Sequence, residues 1–343
     1  STIHRLLEVD YTGGVVSFIH NDKNLLKCDV VILDEMSMVD VKLFQALIAA
    51  LRYSCRIIMV GDADQLPSVG PGNILGEVIR SGLVPTVCLN EIFRQAARSL
   101  IVENAHHIIS SEPLQKGGRT DDFFFLESDG DAARKLVCDL VTTRLPRSYG
   151  FDPIRDIQVL CPTKLGPTGT QALNVELQNL LNPEQKGKPQ LQSASRVFRV
   201  GDKVMQVRNN YEIIWNRIGG EQGVGAYNGD IGIVESINPR DRSMVVRMDD
   251  RRLIYPAENL GELEIAYAIT VHKSQGSEFP AVILPVAHVP PRLCYRNLFY
   301  TGVTRARKLC IVAGRRDVVN RMMGNIRQNL RYSGLCYLLQ AEL

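Results

Sequence analysis

The sequence predicts an α/β protein built on parallel strands, with a small β-barrel set into it. Three observations carry that expectation. Two short apolar runs, residues 30–33 and 56–60, each end in a polar, acidic cluster, as buried parallel strands do when chemistry is placed at their carboxyl ends. Strand-like and helix-like segments alternate over residues 1–90, and the same texture returns from about residue 281. Between these stretches, from about 198 to 260, short strands are separated by turn signals such as Asn228-Gly229-Asp230 and Asn238-Pro239-Arg240-Asp241, the spacing of a small barrel.

The elements follow in order. Apolar residues recur at helical spacing over 40–51, with Asp40 placed to cap the first turn. A short helix is expected over 73–79, after the turn Gly70-Pro71-Gly72. A new unit begins near Leu89-Asn90-Glu91-Ile92-Phe93-Arg94, with a helix from about 96 to 110 and a polar loop over 112–122. A helix over 130–144 leads through Pro146 to a strand at 157–161, and 170–181 is again helical. Strands are expected at 203–207, 231–237, 244–248 and 252–255, then at 281–286 and 309–312 around the segment 298–306.

Composition narrows the partners. At 343 residues, 45% hydrophobic and 22% charged, the chain is large enough for two or three domains with sizeable cores. A net charge of +3 permits an anionic partner without demanding one, so nucleic-acid contacts must come from local patches. The eight cysteines include no C-x-x-C pair, and most lie in apolar or helical patterns. They read as buried free thiols in a reducing, cytoplasmic setting. No apolar run approaches the roughly 20 residues of a membrane span, so no membrane partner is expected.

The polar clusters carry the chemistry. In Asp34-Glu35, an Asp at a strand end can hold Mg²⁺ through its water shell, and the adjacent Glu can orient or deprotonate an attacking water. Gln65, after the second strand, can contact a terminal phosphate or that water. Arg94 and Arg305 are candidates for guanidinium groups reaching a transferring phosphate. The loop Thr270-Val271-His272-Lys273-Ser274-Gln275-Gly276-Ser277-Glu278 packs donors, a glycine and a carboxylate together; its donors suit phosphate, and Glu278 suits a ribose hydroxyl or an arginine. Lys164-Leu165-Gly166-Pro167-Thr168-Gly169 is a second phosphate-friendly loop after a strand. The motif G-x-x-x-x-G-K-[ST] does not occur, and the chain starts at Ser1-Thr2-Ile3-His4 on what reads as a structured element. The expectation is a piece of a longer protein whose phosphate-cradling loop lies outside it, and which alone would not hydrolyse ATP.

These clusters, in this order, resemble superfamily 1 DNA helicases of the RecD-like branch, the exodeoxyribonuclease V alpha-subunit type. The matching stretches are Ser1–Leu6, Leu33–Met38, Gly61–Val69, Leu89–Gln95, Thr270–Phe279 and Phe299–Ala306. The resemblance implies two RecA-like P-loop NTPase domains with ATP between them, single-stranded DNA across them, 5′-to-3′ movement, and an inserted SH3-like β-barrel. It implies the end of the first RecA-like domain at 1–88, the second at 89–197 and 262–343, and the barrel at 198–261. By the same resemblance Asp34 holds Mg²⁺, Glu35 is the catalytic base, Gln65 senses the terminal phosphate, and Arg94 and Arg305 stabilise transition-state charge. Gly276 and Glu278 line the nucleotide, while Thr2, His4, Lys164, Thr270 and His272 meet the nucleic-acid backbone. Work in DNA recombination or repair, with nuclease-complex subunits as possible partners, follows from the family. A non-hydrolysing nucleic-acid-binding or assembly module, and an RNA helicase of the same superfamily, remain open, because backbone contacts do not separate DNA from RNA.

Overall fold

The computed structural model describes residues 2–10, 17–89, 99–118, 121–194, 196–217, 219–326 and 333–341. They divide into two units: residues 1–93 with 295–301 and 325–343, and residues 94–294 with 302–324. The first elements are α1 (Ile3–Leu7), β1 (Val9–Asp10), β2 (Ser17–Phe18), β3 (Val30–Leu33), α2 (Val41–Ala49), β4 (Arg56–Met59) and α3 (Ile74–Ser81). Next come α4 (Leu100–Ser110), β5 (Phe123–Glu127), α5 (Gly130–Asp139), α6 (Leu145–Tyr149), β6 (Ile157–Cys161) and α7 (Thr170–Leu181). A run of strands follows: β7 (Gln190–Ser193), β8 (Arg196–Arg199), β9 (Lys203–Gln206), β10 (Asn210–Arg217) and β11 (Gln222–Ala226). It continues through β12 (Ile231–Asn238), β13 (Ser243–Met248), β14 (Arg251–Tyr255) and β15 (Leu263–Ile265). The chain closes with β16 (Ala268–Thr270), β17 (Phe279–Val286), α8 (Arg296–Thr304), β18 (Ala306–Gly314), α9 (Arg316–Gly324) and α10 (Leu335–Ala341).

In the first unit β3 and β4 pair in parallel, Val30 opposite Arg56 through Leu33 opposite Met59. Both neighbouring helices start on side-chain caps. Asp40 Oδ1 accepts from Leu43 N at 2.8 Å, and Asn73 Oδ1 accepts from Gly76 N at 3.3 Å, each satisfying a donor the helix cannot. Val31, Leu33, Leu47, Ile74, Leu75 and Val78 share one core. The run 30–33 is not buried on both faces, as its composition suggests. Val31 and Leu33 are covered, but Ile32 is 67% exposed, and Val30, Ile58 and Val60 are open as well. Among the described residues, α2 and α3 supply apolar cover to one face only. Residues 325–343, grouped with the second domain from sequence, cluster with this unit. Leu335 and Leu339 of α10 pack on its core, and Cys336 N donates to Glu77 Oε2 at 3.2 Å.

The second unit holds a five-stranded parallel sheet in the order β16-β6-β17-β18-β5. β6 is buried along its whole length and β17 nearly so, as strands covered on both faces must be. The helix expected to end at 144 runs further. A single π turn over Leu140–Arg144 carries α5 into α6, with Leu145 N reaching back to Leu140 O. Pro146 therefore falls in the first turn of α6, where its missing N–H breaks no bond. Gly150 then closes the helix with φ 70°.

Within this unit an antiparallel sheet of seven strands runs β11-β10-β14-β13-β12-β9-β15. Its order proceeds from one edge to the other, so its hydrogen bonding does not close into the barrel expected from the turn spacing. Phe198, Ile213, Val234, Val246, Leu253 and Tyr255 fill its core, and Leu191 of β7 joins them. The excursion from the parallel sheet thus begins at β7, upstream of the boundary at 198.

The root of this excursion is polar and buried. The fully covered carboxylate of Asp202 accepts from Gln178 Nε2 (2.6 Å), Asn182 Nδ2 (2.7 Å), Arg199 N (2.8 Å) and Tyr267 OH (2.9 Å). Beside it, Lys203 Nζ donates to Ile157 O at 3.1 Å. Asp202→Ala would strand four donors, and Asp202→Asn would turn an amide N–H₂ against donors. Each should cost about 3 kcal/mol or more in urea unfolding. Burial pulls the Lys203 amine down to about 7, against the opposing pull of Asp152 and Asp156. The unfolded chain holds that proton up to its ordinary value of 10.5, so it binds more protons than the folded state across this window. Stability should therefore rise from about pH 7 to pH 10. Lys203→Met should flatten that rise in thermal melts taken across the same range.

Candidate nucleotide and nucleic-acid sites

In the first unit the two loaded strand ends are tied together. Val60 N donates to Leu33 O at 2.7 Å and Met36 N to Val60 O at 3.0 Å, so the turn after β3 lies against the turn after β4. Glu35 sits in the left-handed region, φ 54° and ψ 42°, at the head of the 3₁₀ turn Met36–Met38. A non-glycine residue in that region carries strain of order 1 kcal/mol or more, and such strain gathers at functional sites. Asp34 is exposed, and its Oδ1 accepts from Glu35 N at 2.8 Å. Its other carboxylate oxygen has no partner among the described residues. One oxygen fixed by the backbone and one turned to solvent suits a carboxylate that meets a hydrated Mg²⁺. Among the described residues no three His, Cys, Asp or Glu side chains form a metal-binding group, so any such ion would depend on Asp34, water and its ligand's own oxygens.

The loop after β4 is held from several sides. Asp62 Oδ1 accepts from Asp64 N at 2.9 Å, and its Oδ2 accepts from Gln65 Nε2 at 3.3 Å and from Tyr300 OH at 2.8 Å. Asn297 Nδ2 donates to the carbonyls of Asp64 (2.7 Å) and Gln65 (3.1 Å), and Leu66 N donates to Thr301 Oγ1 at 2.8 Å. Burial, and then the charge of Asp62, push the Asp64 carboxyl up, while Arg296 opposes them. Further on, a Cβ on Gly70 would lie 1.9 Å from Oδ2 of Asp40, so only glycine lets the stiff Pro67–Gly72 stretch pass over the capped start of α2. Thr2 caps α1, accepting from Arg5 N at 3.2 Å, and the ring of His4 lies 5.8 Å from that of Phe18. Both residues remain exposed.

In the second unit the loop between β16 and β17 carries Thr270, His272, Gly276 and Glu278; Arg94 lies outside the described residues. Thr270 ends β16, and Val271–Ser274 form a 3₁₀ turn. Burial lowers the basicity of His272, which favours the neutral ring. Gly276 takes φ 73° with open space around it, so the backbone angle, not crowding, asks for glycine. Glu278 is engaged by Arg307, Nε to Oε2 at 2.6 Å. Arg305 is 5% exposed and donates to Ser277 O at 3.3 Å, and its own carbonyl accepts from Phe279 N at 2.8 Å. Its Nε is buried and has no partner among the described residues. The structure thus brings Arg305, between α8 and β18, against the loop that carries Gly276 and Glu278.

Lys164 stands on the loop that opens α7, where Thr170 N donates to Thr163 O and Gln171 N to Lys164 O. It borders a cavity of about 20 Å³ shared with Asn174, Glu264, Thr270 and Lys273, room for about one water. Burial works against the Glu264 carboxylate, yet Lys273, Arg196 and Lys164 together hold its pKa below the ordinary value. Ser277, Glu278 and Phe279 line an open cleft of about 330 Å³ with Asp230, Asp249 and Arg251 of the seven-stranded sheet.

Three family models lie along the chain in order. An AAA domain matches residues 1–71, an ATP-dependent RecD-like DNA helicase SH3 domain matches 173–248, and a UvrD-like helicase C-terminal domain matches 265–313. The ATP-dependent RecD2 DNA helicase of Deinococcus radiodurans is 34% identical over 316 residues, spanning 92% of this chain and 40% of that protein. The chain is thus similar in sequence to a RecD-type helicase over nearly all of its length. The RecBCD enzyme subunit RecD of Mycobacterium tuberculosis is 29% identical over 357 residues, covering 99% of this chain and 58% of the relative. The chain therefore spans roughly half the length of these curated relatives. Its fold is similar to that of a Pif1 helicase from Bacteroides solved with ADP-AlF3 and ssDNA, with a TM-score of 0.52 and 19% identity over 94% of this chain and 80% of that one. The parallel-sheet α/β architecture with an SH3-like insertion accords with both comparisons.

Asp62, Tyr300 and Thr301 lie in motif stretches of the sequence yet carry no role from the sequence alone, and Asn297 lies outside those stretches. The signal was present. Positions 297, 300 and 301 recur at i, i+3 and i+4, one face of α8, and all three meet the loop after β4.

Proposed function

We propose that this chain forms most of the motor of an ATP-hydrolysing superfamily 1 DNA helicase that moves 5′ to 3′ along single-stranded DNA in recombination or repair. The observation that carries the proposal is the junction of the two strand ends. A strained Glu35 and a half-open Asp34 lie between Leu33 and Met36, whose backbones are hydrogen-bonded to Val60, just ahead of the loop that carries Gln65. In this reading Glu35 takes the proton of the attacking water, Asp34 holds the water shell of Mg²⁺, and Gln65 faces the reacting end of the nucleotide. Mg²⁺ with ATP would neutralise charge on the phosphate oxygens.

In the second unit, Arg305 and Arg94 supply positive charge to the transition state, and Gly276 and Glu278 border the nucleotide. Thr2, His4, Lys164, Thr270 and His272 meet DNA phosphates, a set of contacts that fixes position without reading bases. The SH3-like insertion, which borders the same cleft as Glu278, handles the strand. A nuclease complex as partner is consistent with relatives named as RecBCD subunits.

The test uses the protein that carries this chain. Glu35→Gln should retain nucleotide binding and lose turnover, because the amide keeps the shape but cannot accept the proton. A variant that still hydrolyses ATP within a few-fold of wild type removes Glu35 from that role. Arg305→Ala should lower kcat by roughly 10³-fold or more while leaving affinity for single strands nearly unchanged, with a melting curve to check the fold. A collapse of strand affinity with intact basal ATPase would instead make Arg305 a DNA contact.

A further inference from the structure

We infer that Asp62 and Tyr300 are positioning residues that fix the orientation of the Gln65 amide, and that its Oε1 is thereby presented to a donor such as the attacking water. The inference rests on the hydrolytic reading above and divides one role it left open. A primary amide has two unlike ends, a carbonyl that only accepts and an N–H₂ that only donates. Which end faces the reaction centre decides what Gln65 can touch.

The surroundings settle the question. The Asp62 carboxylate faces donors: Asp64 N on Oδ1, and Tyr300 OH and Gln65 Nε2 on Oδ2. A carboxylate gains nothing from an amide carbonyl, so the N–H₂ end of Gln65 must turn toward Asp62. The other end, Oε1, is buried and has no partner among the described residues. A buried carbonyl left in this state calls for a donor. Phosphate oxygens of a nucleotide accept and cannot fill it. A water can, giving one O–H to Gln65 Oε1 and its other proton toward a base. Tyr300 closes the arrangement from outside, since its hydroxyl anchors the Asp62 oxygen that grips the amide. Meanwhile Asn297 and Thr301 meet the backbone of the loop, a support for loop position beside the one for side-chain orientation.

Asp62→Asn is the decisive substitution, made in the protein that carries this chain. The new side chain can keep the bond to Asp64 N through its oxygen, but it sets an N–H₂ against Gln65 and reverses the preferred amide orientation. Steady-state ATPase with single-stranded DNA should then show kcat down by about 100-fold, the scale of one misdirected polar group at a reaction centre. KM for ATP and the affinity for a slowly hydrolysed ATP analogue should change less than about twofold, because ground-state binding is untouched. Tyr300→Phe deletes a single oxygen and is the milder partner; kcat should fall about fivefold, again at constant KM. A merely structural role would lower the melting temperature and the folded fraction, so kcat is taken per analogue-binding site, where such a role leaves it at the wild-type value. Wild-type kcat in both variants, or a rise in KM matching the fall in kcat, overturns the inference. Glu35→Gln in the same assay separates the two levels. If it abolishes turnover while Asp62→Asn stays active, only the positioning role fails; if it too turns over normally, the hydrolytic reading has failed first.

Discussion

The second unit depends on a single buried carboxylate. A seven-stranded sheet that leaves a parallel sheet after α7 and returns at β16 must be clasped where it departs, or its orientation is free. Asp202 does this by taking donors from both sides of the excursion. Gln178 lies on the outgoing helix and Asn182 at its end, Arg199 N closes β8, and Tyr267 stands just before the returning strand. Burial pushes the Asp202 carboxyl up and those donors oppose it. A buried charge is tolerable only when its hydrogen bonding is complete, and that requirement makes the arrangement specific. Apolar residues in the same place would pack in several ways; four donors on two oxygens fit in few. The neighbouring Lys203 ties the base of the insertion to the first residue of β6 through Ile157 O. Together they make the insertion an extension of the parallel sheet.

Local chemistry was legible in the sequence, and long-range cover was not. The starts of α2 and α3 could be read from Asp40 and Asn73, because a cap and its helix lie within four residues of each other. The strands β6 and β17 stood out as apolar runs because both of their faces are buried. By contrast β10 escaped notice, since Asn210, Glu212 and Asn216 interrupt its apolar residues and its order comes from partners on either side. β5, with its run of phenylalanines, gave an apolar signal with no period to mark it as strand or helix. The one-sided cover of β3 depends on which helices reach it, and the packing of α10 on α3 joins residues more than 250 positions apart. Pro146 misled for a physical reason: a π turn shifts the hydrogen-bond register by one residue and so admits a proline within a longer helix.

The candidate site divides in the same manner. Asp34, Glu35 and Gln65 could be chosen from sequence because a strand end followed by acids is a local pattern with few other uses. The backbone strain at Glu35 could not be foreseen; it arises where Met36 N must reach Val60 O while Asp34 takes the N–H of Glu35. Nor could sequence show that Glu278 is engaged by Arg307, or that Arg305 is buried against Ser277. The supports of Gln65 come from α8, more than 230 residues away in sequence. Distance along the chain hid them, although their helical spacing was in plain view.

The amine of Lys203 has a further consequence for anyone handling this protein. Because burial holds it near neutrality, a large share of it carries a free lone pair at pH values where surface lysines are almost wholly protonated. The protein around it excludes acylating reagents, and once the root of the insertion opens the amine regains the basicity of an ordinary lysine. Labelling at this position therefore reports how often the root opens, at the rate of an exposed lysine scaled by the open fraction. One side chain buried for structural reasons becomes a natural gauge of breathing at the joint between the two sheets.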